Sequence, residues 1–155
     1  MKKLNDLRDY LMQRVPSLKR DPDRLLTFVE DGRIIFHPGN NYSHQYRLPA
    51  RIIVTDWAGN VDDIVLPLLE WISVREPGFN PEEILRFESE ILDKEKVDLA
   101  FTVQLTERVV VTFQEGQRTI THILPEPAMQ MNADASWELT TSGPDGTRTV
   151  PDDGA

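Results

Sequence analysis

QLTERVVVTF, Gln104 to Phe113, alternates with the period of a strand that is dry on one face and wet on the other. Extended back to Leu99, its odd positions read Leu99, Phe101, Val103 and Leu105, then Val109, Val111 and Phe113. Glu107 interrupts this apolar row. Arg108, one residue on, points to the opposite face, so the two do not form a dyad on one surface. A lone buried carboxylate is costly. Either the strand leaves the core at Glu107, or the carboxylate finds a cation or backbone donors from a partner. A single strand from Leu99 to Phe113 would run about 50 Å at about 3.3 Å per residue, long for a domain of this size. The chain is therefore expected to bend or change sheet near Glu107 and Arg108, and to project its last hairpin outward.

The neighbouring segments fix the pairing. ILRFESEIL, Ile84 to Leu92, sets Leu85, Phe87 and Ile91 against Arg86, Glu88 and Glu90 on its two sides. Cross-strand partners share a face. Matching Phe87 to Phe101 and Ile91 to Val97 keeps the apolar rows together and predicts a three- or five-residue connection. A two-residue loop would set Ile91 against Asp98. Downstream, a turn at Glu115-Gly116 places Phe113 opposite Arg118, Val111 opposite Ile120, Val109 opposite His122 and Glu107 opposite Leu124. His122 then lies diagonal to Glu107.

The N-terminal half supplies two helices and more sheet. Leu4, Leu7, Leu11 and Val15 recur at helical spacing, and Pro16 ends that helix. SLKRDPD reads as a polar connection. LLTFVEDGRIIFH reads as a hairpin turning at Asp31-Gly32, with Glu30 facing Arg33 and Phe28 facing Ile35. After the polar loop HPGNNYSHQY, YRLPARIIVTDW reads as a strand with Pro49 near its beginning. Val65, Leu66, Leu69 and Ile72 mark the second helix, which is expected to start near Leu66 so that Pro67 falls in its first turn. Pro77-Gly78 ends it. Trp71 on this helix either closes the core, the preferred reading, or protrudes toward a partner. The sum is an α+β fold, a mainly antiparallel sheet with two helices, in one domain over 1–124. Residues 125–155 are rich in Pro, Gly, Ser, Thr and acid, and read as a flexible, mostly disordered tail with Met129, Met131 and Trp137 as its sticky points.

Composition narrows the function. The chain has 155 residues, 39% hydrophobic and 28% charged, enough for one folded core. Its net charge of −9 makes nucleic acid a poor primary partner. It contains no cysteine, which removes disulfides, thiolate nucleophiles and cysteine-ligated zinc together. No apolar run approaches a membrane span or a signal core, so a cytosolic setting is expected. His37, His44 and His122 lie in separate elements and lack metal-ligand spacing. Asp56, Asp62 and Asp63 are read as strand-end and helix-cap residues rather than a cation site. No phosphate loop or nucleophile elbow is present. Two alternatives stay beside a purely structural role. One is a small metal-dependent hydrolase using Asp56, Asp62 and the histidines. The other is a cytosolic adaptor that binds through its tail.

LRDYLMQRVPSLKRDPDRLLTFVEDGRI, RIIVTDWAG, LPLLEWI, VDLAFTVQLTERVVV and HILPEP, in this order and spacing, resemble the tail completion protein R family (GpR) of P2-like phages with contractile tails. The resemblance runs from the first helix to about Pro127. It implies a phage tail-terminator-like fold and a structural protein, not an enzyme, without catalytic residues, metal or cofactor. It further implies a protein that caps the head-proximal end of the tail and enables head–tail joining during virion assembly. By analogy with other tail-ending proteins, the expected form is a homo-oligomeric ring, a hexamer. Its expected partners are itself, the tail tube and sheath proteins, and neck or head-completion proteins, with no membrane involved. Its expected place is the virion tail and neck, and the host cytoplasm during assembly. Glu107, Arg108, Arg118, His122 and Trp71 are the candidate interface residues.

Overall fold

A computed structural model describes residues 1–39 and 41–125. Two long strands organise it: β3, His44–Trp57, and β5, Val97–Gln114. They run antiparallel, from His44 opposite Val109 to Val54 opposite Leu99, with a bulge before Trp57 pairs with Val97. Each carries two shorter strands on its outer edge. Along β3 lie β1, Leu25–Val29, and β2, Arg33–Phe36. Along β5 lie β4, Leu85–Ile91, and β6, Gln117–Ile123. All six form one antiparallel sheet, so the fold is α+β as expected.

Three readings of the sequence are corrected here. β1 and β2 do not form a hairpin at Asp31-Gly32. Both run antiparallel to β3, at Ala50–Val54 and at His44–Arg47, so the chain passes straight along one edge. Gly32 serves close approach rather than reversal: a Cβ there would stand 2.8 Å from Leu48 Cδ2 and 2.9 Å from the Arg47 carbonyl oxygen. Second, β5 neither bends out of the sheet nor stops at Glu107. It remains one strand and exchanges its outer neighbour, β4 over Val97–Val103 and β6 over Arg108–Gln114. Two short partners laid end to end support a strand that neither could support alone. Third, helix α3 spans Asp62–Arg75 with Pro67 inside it, rather than starting near Leu66. Only one helical hydrogen bond is lost at that point, and Asn60 Oδ1 accepts from the Asp62 N–H (3.0 Å) where the sequence suggested an aspartate cap.

The other registers are as the sequence predicts. Phe87 faces Phe101 and Ile91 faces Val97 across a five-residue connection, Leu92 to Lys96. Phe113 faces Arg118, Val111 faces Ile120 and Val109 faces His122. The turn between them has positive φ at both Glu115 (54°) and Gly116 (78°), the geometry that matches hairpin twist.

The two long helices are α1, Lys2–Arg14, and α3, and the polar connection after α1 winds into a short third helix, α2, Pro16–Arg20. α1 and α3 pack on each other and on one face of the sheet. Leu7 and Leu11 from α1, Leu18 from α2, and Ile64 and Leu68 from α3 are fully buried against Ile52, Leu99 and Phe101. Trp71 belongs to this core, with its indole N–H donating to Asp6 Oδ2 at 2.8 Å. Among the described residues no helix is long and apolar enough to cross a membrane. The expected tail, 125–155, lies outside the described residues except for Pro125.

Candidate functional site

Glu107 is the pivot of the molecule. It is fully buried, 0% exposed, on the helix-bearing face of β5. Its two oxygens meet the start of α1: the backbone N–H of Lys3 donates to Oε1 and that of Lys2 to Oε2, both at 3.0 Å. His122 Nδ1, across the hairpin, lies 2.5 Å from Oε2 and donates to it. A helix begins with unsatisfied N–H groups and a partial positive charge. α1 has no acidic residue in its first turn and no side-chain cap of its own. Glu107 supplies both the cap and the counter-charge from 104 residues away. Burial pushes its carboxyl upward, but the Lys3 and Lys2 N–H groups and His122 outweigh this and hold it below the ordinary 4.5. The donors thus come from the chain's own helix, not from a partner, and Glu107 is not an external contact.

A second buried pair fills the gap on the outer edge of β5. β4 ends its pairing at Val103, and β6 begins at Arg108. The Gln104 N–H is taken by the Ile84 carbonyl (2.9 Å), and the Thr106 N–H by Glu76 Oε2 (2.9 Å). Glu76 also accepts from the Thr106 hydroxyl (2.9 Å) and from Lys3 Nζ (2.7 Å), both carboxylate and ammonium being nearly fully buried. Glu76 therefore stands in for a missing strand carbonyl. The sequence reading missed Glu76 and the two lysines. The available signal was a helix opening on Lys2-Lys3 with no acid to balance it.

The remaining candidate residues fall in different places. Arg108 and Arg118 are exposed, Arg118 with its guanidinium 5.3 Å from the Phe113 ring centre. His122 is half-buried and holds Glu107. Trp71 is a core residue rather than a contact, because α1 covers it and Asp6 takes its only donor. The three histidines do not form a metal-ligand cluster: among the described residues no group of three potential ligands gathers. Asp56 sits in the bulge just before the last residue of β3, at a positive φ of 53°, its N–H bonded to Asp98 Oδ1 at 2.9 Å.

What the arrangement does offer is surface. Past Val109, β5 has no β3 beside it, and Val110 to Gln114 with β6 form a two-stranded hairpin that runs beyond the sheet. Ser43 Oγ accepts from the Val111 N–H (2.9 Å) at its root. A family model, P2 phage tail completion protein R (GpR), matches residues 1–127, all of this described fold. The chain belongs to that family. The tail completion protein R of Escherichia phage P2 is 29% identical over 132 residues, which cover 82% of this chain and 85% of that protein. No solved structure matches. As a tail completion protein R, the chain is a structural component of the phage tail rather than an enzyme, and works through contacts with other virion proteins.

Proposed function

We propose that this tail completion protein R closes the head-proximal end of the contractile tail as a ring of identical subunits, a hexamer, and leaves a surface to which the filled head joins. The observation that carries the reading is the hairpin of β5 and β6, which runs past the last β3 pair and keeps apolar residues exposed. A monomer gains little from such an extension, whereas a neighbour can cover it. A closed ring needs two different patches that meet. Arg108 and Arg118 are the contact residues this reading retains, facing acids of the next copy, with His122 fixing the hairpin to Glu107. The partners are further copies of the chain, the tail tube and sheath, and neck or head-completion proteins. Assembly takes place in the host cytoplasm, and the product sits at the tail–neck junction. The test is electron microscopy of particles made without this protein. Unjoined heads and tails, with tails of irregular length or frayed ends, are expected. Normal joined particles would refute the reading.

A further inference from the structure

The register places two apolar patches on the helix-bearing face, at opposite ends of the sheet, and neither lies under a helix. The first is at the projecting end. Ile34, Phe36, Tyr42, Phe113 and Ile120 are each between 45% and 63% exposed. Three of them touch: the Phe36 and Tyr42 rings stack at 6.2 Å, and Tyr42 meets Phe113 edge-on at 6.4 Å, while Ile34 and Ile120 share the face of Phe36 and Phe113 by register. The second is on the outer strand at the other end. Phe87, Ile91 and Leu92 are between 45% and 77% exposed, although Phe87 stacks on the buried Phe101 at 5.9 Å.

Size says what covers them. Taking roughly 200 Å² per aromatic and roughly 120 Å² per aliphatic side chain, the hairpin patch exposes roughly 450 Å² and the β4 patch roughly 260 Å². A standard interface of about 1,600 Å² contains about 900 Å² of non-polar area, so the two patches together supply most of it. Either patch paired with itself would match like with like. That gives a two-fold dimer, whereas a closed ring needs two different patches that meet. The patch centres are about 40 Å apart along β5, so one copy can engage two neighbours at once.

We propose that the hairpin patch of one copy seats on the β4 patch of the next, and that this heterologous contact propagates the assembly. The inference rests on the ring reading above and names its two surfaces. Sedimentation of the full-length chain tests it, using Phe113→Asp for the hairpin patch and Ile91→Lys for the β4 patch. Ile120→Asp replaces the former if circular dichroism shows it unfolded. The unmodified chain is expected to associate by about 100 µM, and each variant about 100-fold more weakly. An equimolar mixture of the two variants retains one intact pair of patches and should give a two-subunit species and nothing larger. Four results would overturn the proposal: an unmodified chain still monomeric at about 100 µM, a folded variant that assembles like it, Ile91→Lys dimerising alone through its hairpin, or a mixture that stays monomeric. The particle experiment is independent. Unjoined heads and tails together with a monomeric chain would sink the patch pairing and leave the tail-completion reading standing.

Discussion

Replacing Glu107 by Gln removes one charge and almost no volume, so it isolates what the buried carboxylate does. Three donors converge on two oxygens: the Lys2 and Lys3 N–H groups and His122 Nδ1. A glutamine presents one oxygen and one NH₂, so at least one of these donors faces another donor. A buried donor left unsatisfied costs about 1–3 kcal/mol, and losing the anion at the helix N-terminus adds about 0.3–1 kcal/mol. The expected destabilisation is about 1.3–4 kcal/mol, or about 5–16 °C in melting temperature for a domain of this size. Thermal and urea melts at pH 7, followed by circular dichroism, measure it. Arg108→Gln, its exposed neighbour, is the control and should stay within about 0.5 kcal/mol. The pH dependence has a defined sign. The folded carboxyl lies below its ordinary 4.5, so the native state favours the ionised form. Its stabilisation is fully present above 4.5 and is lost as the pH falls through the lower folded value. The gap between parent and Glu107→Gln should therefore be constant toward neutral pH and narrow under acid. A variant melting within about 2 °C of the parent at pH 7 would refute the capping argument, because the smallest cost above already exceeds that shift.

Two further substitutions probe the backbone. Glu115 holds a positive φ of 54° in the hairpin turn, so Glu115→Asn, which restores the preferred Asn-Gly pair, should stabilise by about 0.5–1 kcal/mol. An unchanged or lower urea midpoint would contradict this. Gly32→Ala should destabilise by about 1–3 kcal/mol, since the added methyl meets Leu48 and the Arg47 carbonyl below 3.0 Å. A midpoint equal to the parent's would mean that β2 can move off β3 without loss.

Alternation was enough to read the register of β4, β5 and β6, because a one-residue slip would have turned every side chain to the wrong face. The same logic failed at Asp31-Gly32. A two-residue Asp-Gly link suits a reversal, but whether β1 pairs with β2 or both pair with β3 depends on a strand that arrives later in the chain. Pro67 misled for a related reason. Propensity sets a helix boundary only where packing is silent, and Ile64 and Leu68 bury a turn on each side of the proline. At Glu107 the sequence posed the right question, a charge inside an apolar row, and left open who answers it. The answer was the first turn of α1, whose partner cannot be recognised from spacing because backbone N–H groups are common to every residue. The expected interface residues divide along the same line. Arg108 and Arg118 fall outside by alternation and by the hairpin register, whereas Trp71 and Glu107 are covered by a helix whose placement no local pattern reveals.

Lengths explain why one apolar row serves two purposes. β5 has 18 residues and extends about 60 Å. α1 has 13 residues and α3 has 14, so each is about 20 Å long. Even laid along the strand, neither helix could cover more than about a third of it. The covered part is recognisable: Leu99, Phe101, Val103 and Leu105 belong to the helix-packed core. Glu107 stands where α1 begins, and beyond it no helix remains. Val109 and Val111 are still buried, yet they lie outside that core, beside the Tyr42, Phe36 and Phe113 cluster. The alternating pattern continues across this boundary because both halves of the strand need a dry face. One half finds it under the helices of the same chain. The other half buries Val109 and Val111 without a helix and leaves Phe113 exposed, beside Tyr42 and Phe36, at the patch proposed above to meet a second copy.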